Sequence, residues 1–276
     1  MRHDHCLRKE GIAIFGVGST STSTANLGAM AAFTSDGFNT FSLRDLSRSK
    51  ANVRAAEGSL CANLTTVACS SLEIVDAIMV DSYLIILTNL GLFSSSTFEV
   101  ATNTTSPMIF RTLSTGQSAI DSASVYLQVA SLYGQSDCFK GSQDYVYLTY
   151  SPTAAFLASN LLYASSTNLL SNSWSSPLVT SSITGLDATY GFVGACRDIV
   201  YGRHVYLVGV PTASQAACPS LEPGYCTFDR ARIVLDTGVK QTIGCIFPTS
   251  MVVTGFAFHS NNNDLFIYGS EVKSFI

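Results

Sequence analysis

Charge is scarce in this chain. Of its 276 residues, 12% are Asp, Glu, Lys or Arg and 47% are hydrophobic, about half the charged share of an ordinary soluble domain. That scarcity excludes an architecture of long amphipathic helices, whose wet faces need Glu, Lys and Arg. Ser and Thr fill the polar positions instead, a pattern suited to short strands joined by polar turns. The net charge of −4 offers no basic surface for nucleic acid.

Long apolar runs are missing too. Residues 11–34 carry no charge, but "GVGSTSTSTANLG" interrupts them and is too polar to span a bilayer. The run "IVDAIMVDSYLIILTNLGLF" contains Asp76 and Asp81 and reads as two buried strands. After the charged start "MRHDHCLRKEG", the apolar stretch Ile12 to Val17 is too short for a signal peptide. Neither export nor anchoring is legible. The sequence also lacks a CxxC knuckle, an HExxH pair and a Gly-x-Ser-x-Gly elbow. "GVGSTS" (16–21) mimics a dinucleotide-binding turn, but no third glycine and no βα units follow. No cofactor, metal or catalytic residue is expected. His3, His5, His204 and His259 read as surface or turn residues, His204 and His259 at strand edges.

What is present is a succession of short apolar runs rich in Val, Ile, Tyr and Phe, broken by Gly, Ser, Asn and Pro. They include "GIAIFGVG", "EIVDAIMV", "YLIILTN", "DYVYLTYS", "HVYLVGVP" and "VVTGFAFHS", which is strand chemistry. Residues 43–57, "LRDLSRSKANVRAAE", predict one short surface helix. A loose repeat of strand, turn, strand, tight turn and Ser-ending strand recurs, with second strands at Leu87, Leu157, Val208 and Ile267. Four-stranded repeats of roughly 40–50 residues mark β-propellers. The expectation is an all-β chain of propeller-like, four-stranded antiparallel blades, incomplete at about four and a half blades. Residues 1–10 form a flexible N-terminus and 11–276 the partial propeller. The ending "NNNDLFIYGSEVKSFI" reads as a strand Asp264 to Tyr268, a turn at Gly269-Ser270 and the start of a returning strand. A chain stopping there implies a fragment or a blade that a partner completes.

Two cysteine pairs share one spacing, "CANLTTVAC" (Cys61, Cys69) and "CPSLEPGYC" (Cys218, Cys226). Loops of this size fit disulfides better than zinc. Sequons stand at Asn63 and Asn103. Together these point to an oxidised, glycosylated ectodomain. Eight reduced cysteines in a cytosolic core remain the alternative.

"FTSDGFNTFSL" (33–43) approximates the Asp-box of sialidase and sortilin propellers, Ser-x-Asp-x-Gly-x-Thr-Trp. Thr34, Asp36, Thr40 and Phe41 fit, while Phe38 replaces the second glycine. Its carboxylate would accept backbone N–H bonds in a turn, a structural role; an ordinary Asp-Gly hairpin fits as well. A sialidase-like enzyme needs three arginines gathered on a carboxylate. Arg111, Arg197, Arg203, Arg230 and Arg232 are present without local motifs around them.

Leu87-Thr88-Asn89-Leu90-Gly91-Leu92-Phe93 and Leu265-Phe266-Ile267-Tyr268-Gly269-Ser270 resemble blade segments in the extracellular β-propeller of the accessory subunits of the sperm cation channel (CatSper). The likeness covers residues 70–115 and 250–276 best. It implies a non-catalytic interaction domain, an ectodomain piece of a longer membrane glycoprotein at the cell or flagellar surface, with other channel subunits as partners. A sialidase-like glycan-processing or glycan-binding propeller and a sortilin-type scaffold are the rival expectations.

Overall fold

A computed structural model describes residues 11–15, 30–34, 39–40, 42–45, 74–80, 83–89, 91–96, 110–121, 130–135, 144–153, 157–169, 171–197, 202–209, 231–236, 240–245, 251–259 and 264–271. Within them the chain is all-β. Seventeen strands form five sheets, taken strictly in chain order. The first contains β1 (Gly11–Phe15), β2 (Met30–Thr34) and β3 (Ser42–Asp45). The second contains β4 (Ile74–Val80), β5 (Tyr83–Thr88), β6 (Gly91–Ser96) and β7 (Arg111–Leu113). The third contains β8 (Ser131–Gln135), β9 (Tyr145–Tyr150), β10 (Asn160–Ser165) and β11 (Leu178–Val179). The fourth contains β12 (Gly191–Arg197), β13 (His204–Gly209), β14 (Ala231–Asp236) and β15 (Lys240–Cys245). The last pairs β16 (Met251–His259) with β17 (Asp264–Glu271).

Every pairing among the described residues is antiparallel between chain neighbours. Each sheet is therefore an up-and-down meander, the strand order of a propeller blade. Among the described residues, helix is confined to α1 (Ser118–Asp121), α2 (Ser166–Leu169) and a 3₁₀ turn at Thr180–Ser182. None of the described helices is long and apolar enough to cross a membrane.

The chain divides into two compact units, residues 1–128 with 166–173, and residues 129–165 with 174–276. In the first, β5 is buried on both faces; Leu84, Ile85, Ile86 and Leu87 are fully buried. A continuous apolar run is what a strand enclosed on both sides requires. Its hairpin to β6 closes at the Thr88–Gly91 pair. Gly91 has φ +122°, a conformation side chains resist, and the Thr88 hydroxyl donates to its carbonyl at 2.9 Å. After β7, the Asp121 carboxylate ties the chain down. Oδ1 accepts from the Thr115 amide (2.8 Å) and hydroxyl (2.9 Å), and Oδ2 accepts from the Ser114 hydroxyl and Gly116 amide (both 2.9 Å).

Three local expectations are corrected. Residues 43–57 do not open as a helix: Ser42–Asp45 is a strand, held by pairing from Phe33↔Ser42 to Met30↔Asp45. Long-range pairing here overrides a helical composition. Gly269-Ser270 is not a turn, because β17 runs through it, with Gly269 opposite Val253 and Ser270 opposite Val252. The last pair of this hairpin is His259 with Asp264. Leu157 is not in a strand; β10 begins at Asn160. The adjoining Ala158 carbonyl instead accepts the Phe192 amide at 2.8 Å, drawing that segment onto β12.

Candidate functional site

Among the described residues, a dense polar and aromatic cluster lies within the second unit, where the sheet of β8–β11 faces that of β12–β15. Side-chain alternation puts Tyr145 and Tyr147 on one face of β9. Register then sets Tyr133 and Tyr163 on either side of Tyr147. On the facing sheet, Arg197, His204 and Asp236 stand in a row across β12, β13 and β14. One step along that face come Ala195, Tyr206 and Val234, all buried. Tyr147, Leu161, Leu178, Phe192, Tyr206 and Val208 form the apolar floor.

His204 is the centre of this seam. Its ring stacks on Tyr163 at 4.2 Å between centroids and 30° between planes. It meets Tyr145 and Tyr147 edge-on at 5.4 and 5.8 Å. Nδ1 lies 3.0 Å from the Tyr147 hydroxyl. Tyr147 is fully buried, and this is its one side-chain hydrogen bond among the described residues; because a buried O–H needs an acceptor, the bond is assigned with the hydroxyl donating and neutral Nδ1 accepting. Burial holds His204 below its ordinary range; nearby Asp236 opposes the shift and Arg197 adds to it. The Arg197 guanidinium lies 4.9 Å from the Tyr145 centroid, and its Nε donates to the Gly202 carbonyl at 3.3 Å. The Tyr206 hydroxyl donates to Asp236 Oδ2 at 3.3 Å.

A bulge contributes a fourth tie. Phe192 pairs with Val208 and Gly194 with Leu207, leaving Val193 as the extra residue. A bulged residue falls outside the ladder, and the Val193 carbonyl accepts the Tyr133 hydroxyl.

The chemistry of these groups runs against nucleophilic use. Burial, then the charge of Asp236, pushes Tyr206 far above the ordinary phenol range. Tyr206 is also fully buried. Burial raises Tyr147 and Tyr163 as well. Phenols shifted upward are poorer sources of phenoxide at neutral pH. Arg232, over Tyr190 at 5.6 Å and donating to the Gly185 carbonyl at 3.0 Å, pairs at Val208. That is four positions along β13 from the Arg197 row, about 13 Å at strand rise. Arg232 is therefore not gathered with Arg197 into a carboxylate clamp. No three His, Cys, Asp or Glu among the described residues are placed to hold a metal.

The predicted site residues fare unevenly. Cys61, Cys69, Cys218, Cys226, Asn63, Asn103, Asp36 and Phe41 lie outside the described residues, as do "GVGSTS", Arg230, His3 and His5. Thr34 ends β2, and Thr40 is an exposed bend before β3, so the Asp-box-like segment does join two paired strands. His259 ends β16 opposite Asp264. His204 is the clear miss: it is half-buried in a ring cluster, not a surface or turn residue.

No protein-family description matches the chain, and no curated protein sequence is similar to it. Among solved structures, a GH43 β-1,3-galactosidase with galactodeoxynojirimycin superposes at a TM-score of 0.37 and 11% identity, covering 98% of this chain and 74% of that one. A superposition of that quality does not separate a shared fold from shared strand content.

Proposed function

We propose that this chain is a non-catalytic interaction domain, a rigid β scaffold that displays its connecting loops to other proteins. One observation carries the reading. The most polar cluster among the described residues spends its groups internally: Tyr147 on His204, Tyr206 on Asp236, Tyr133 on the Val193 carbonyl, and Arg197 on Tyr145 and the Gly202 carbonyl. Such a seam fixes two sheets against each other and leaves recognition to the loops. The finer reading is an ectodomain piece of a CatSper-like channel accessory subunit, at the extracellular face of a cell or flagellar membrane. It rests on the resemblance of Leu87–Phe93 and Leu265–Ser270, which fall in the β5–β6 hairpin and in β17.

The test is native co-purification from source membranes in mild detergent, with N-glycosidase treatment of the recovered chain. Recovery with membrane-protein partners and a mass drop on digestion are expected. A free, unglycosylated monomer would overturn the channel-subunit reading. Turnover of fluorogenic glycosides, abolished by Asp236→Asn, would overturn the non-catalytic one.

A further inference from the structure

We propose that His204 is a pH-operated latch: neutral, it fastens the β8–β11 sheet to the β12–β15 sheet; protonated, it strands the buried Tyr147 hydroxyl hydrogen and loosens the seam. The argument is geometric. The Tyr147 hydroxyl is enclosed, and Nδ1 of His204 at 3.0 Å is its acceptor. An imidazolium carries hydrogen on both nitrogens and accepts nothing. Protonation therefore reverses the contact: the Tyr147 oxygen can accept from Nδ1–H only by turning its own hydrogen away, where no other acceptor among the described residues reaches it. Leaving such a donor unmatched is costly.

The surroundings decide whether that protonation is resisted. Facing His204 are Tyr145 and Tyr147 from β9, Tyr163 from β10, Arg197 from β12, Tyr206 from its own strand and Asp236 from β14. Arg203 precedes it in the chain, half-buried. The two ladder neighbours carry opposite charge, and Asp236 already accepts the Tyr206 hydroxyl. Burial decides the balance and keeps the folded imidazole below its ordinary range, in agreement with the hydrogen-bond argument. A histidine that binds its proton less readily folded than unfolded favours folding at high pH. The stabilisation is complete above the unfolded value of about 6.5, and it is lost as pH falls through that value toward the folded midpoint.

The experiment is a proton NMR titration of the four histidine Cε1–H signals in the full chain, with His204 assigned by His204→Gln. Amide exchange in β9, β10, β12 and β13 is measured at about pH 7.5 and 5.5 and corrected for intrinsic rates. The His204 midpoint is expected below about 6.5. Arg197→Gln should move it up and Asp236→Asn down, opposed shifts that a merely structural role would not give. Seam amides should exchange faster at the lower pH in the wild type and not in His204→Gln. A midpoint at or above the ordinary value, shifts of the same sign, or equal seam protection at both pH values would overturn the proposal. If His204→Gln does not fold, nuclear Overhauser contacts to the Tyr163 ring, stacked at 4.2 Å, assign the His204 signal, and the Arg197 and Asp236 variants with the wild-type exchange at the two pH values decide it.

Discussion

Tyr147→Phe isolates a single hydrogen bond in the seam. The substitution keeps the ring, and with it the packing on Tyr145 at 6.2 Å, Tyr163 at 6.0 Å and His204 at 5.8 Å. It removes only the hydroxyl 3.0 Å from His204 Nδ1. A neutral hydrogen bond contributes about 0.5–1.5 kcal/mol net, and a stranded buried acceptor costs somewhat more, so the expected loss is about 1–2 kcal/mol at pH 7.5. Tyr147→Ala, which also empties an aromatic site, should cost about 3–5 kcal/mol. The single tryptophan of the chain, Trp174, belongs to the same unit, and the adjoining Ser175 amide donates to the Tyr163 carbonyl at 2.9 Å. Its fluorescence during urea unfolding reports this unit specifically. For a slope of about 2 kcal/mol per molar, the middle of the usual range, the Phe variant's midpoint should fall by roughly 0.5–1 M. The gap should then narrow at pH 5.5, because protonated His204 no longer accepts the bond that the variant lacks. A Phe variant indistinguishable from wild type at pH 7.5, or a gap that widens in acid, would refute the assignment of hydroxyl as donor and imidazole as acceptor.

Asp121→Ala should destabilise the first unit by about 1–3 kcal/mol, since four donors from Ser114, Thr115 and Gly116 lose one charged acceptor; a thermal melt within a degree of wild type would contradict that. Gly91→Ala should cost about 1–3 kcal/mol from backbone strain alone, because no atom lies closer than 3.8 Å to an added Cβ; Asn89→Ala, in the same hairpin, serves as the comparison in the melt. Cys196 of β12 is buried, so it should resist a thiol reagent in the native protein and react once the chain is reduced and unfolded in urea. Rapid native labelling at Cys196, mapped by peptide mass, would place it at the surface instead.

Strands such as β5 and β9 were legible in the sequence because each carries its own local signal, whereas β11, β14 and β15 were not read as strands. "YLIILT" is a continuous apolar run and becomes β5, enclosed on both faces. "YVYLTY" alternates and becomes β9. The errors arose where a local cue was outvoted by pairing with a strand elsewhere. Gly269-Ser270 reads as a turn only until the nine-residue β16 is laid beside it, with Thr254 as the extra residue that keeps the ladder in step. Residues 43–45 read as helix until β2 pairs with them. The seam was illegible for a different reason. Its parts come from β9, β10, β12, β13 and β14, and nothing in the sequence around His204 announces Tyr147, 57 residues earlier. The alternating tyrosines of "YVYLTY" were the one available hint, since they predict an aromatic face without naming what meets it.

The scarcity of charge bears on why the seam is built as it is. A sheet whose strands are apolar on both faces specifies its register weakly, because a one-residue slip exchanges one apolar set for another. On β13, Val205 and Leu207 lie on one face and Tyr206 and Val208 on the other. Hydrophobicity alone would accept either orientation. His204 breaks that symmetry, as it must face Tyr147 and Tyr163 while pairing with Arg197 on one side and Asp236 on the other. A slipped β13 would carry the imidazole away from its tyrosine partners and leave Tyr147 without an acceptor. Placing charged residues in a half-buried row adds little to stability, since desolvation offsets much of the attraction. It does make the wrong register costlier than the right one, and a chain with so few charges gains most by spending them where a register must be fixed.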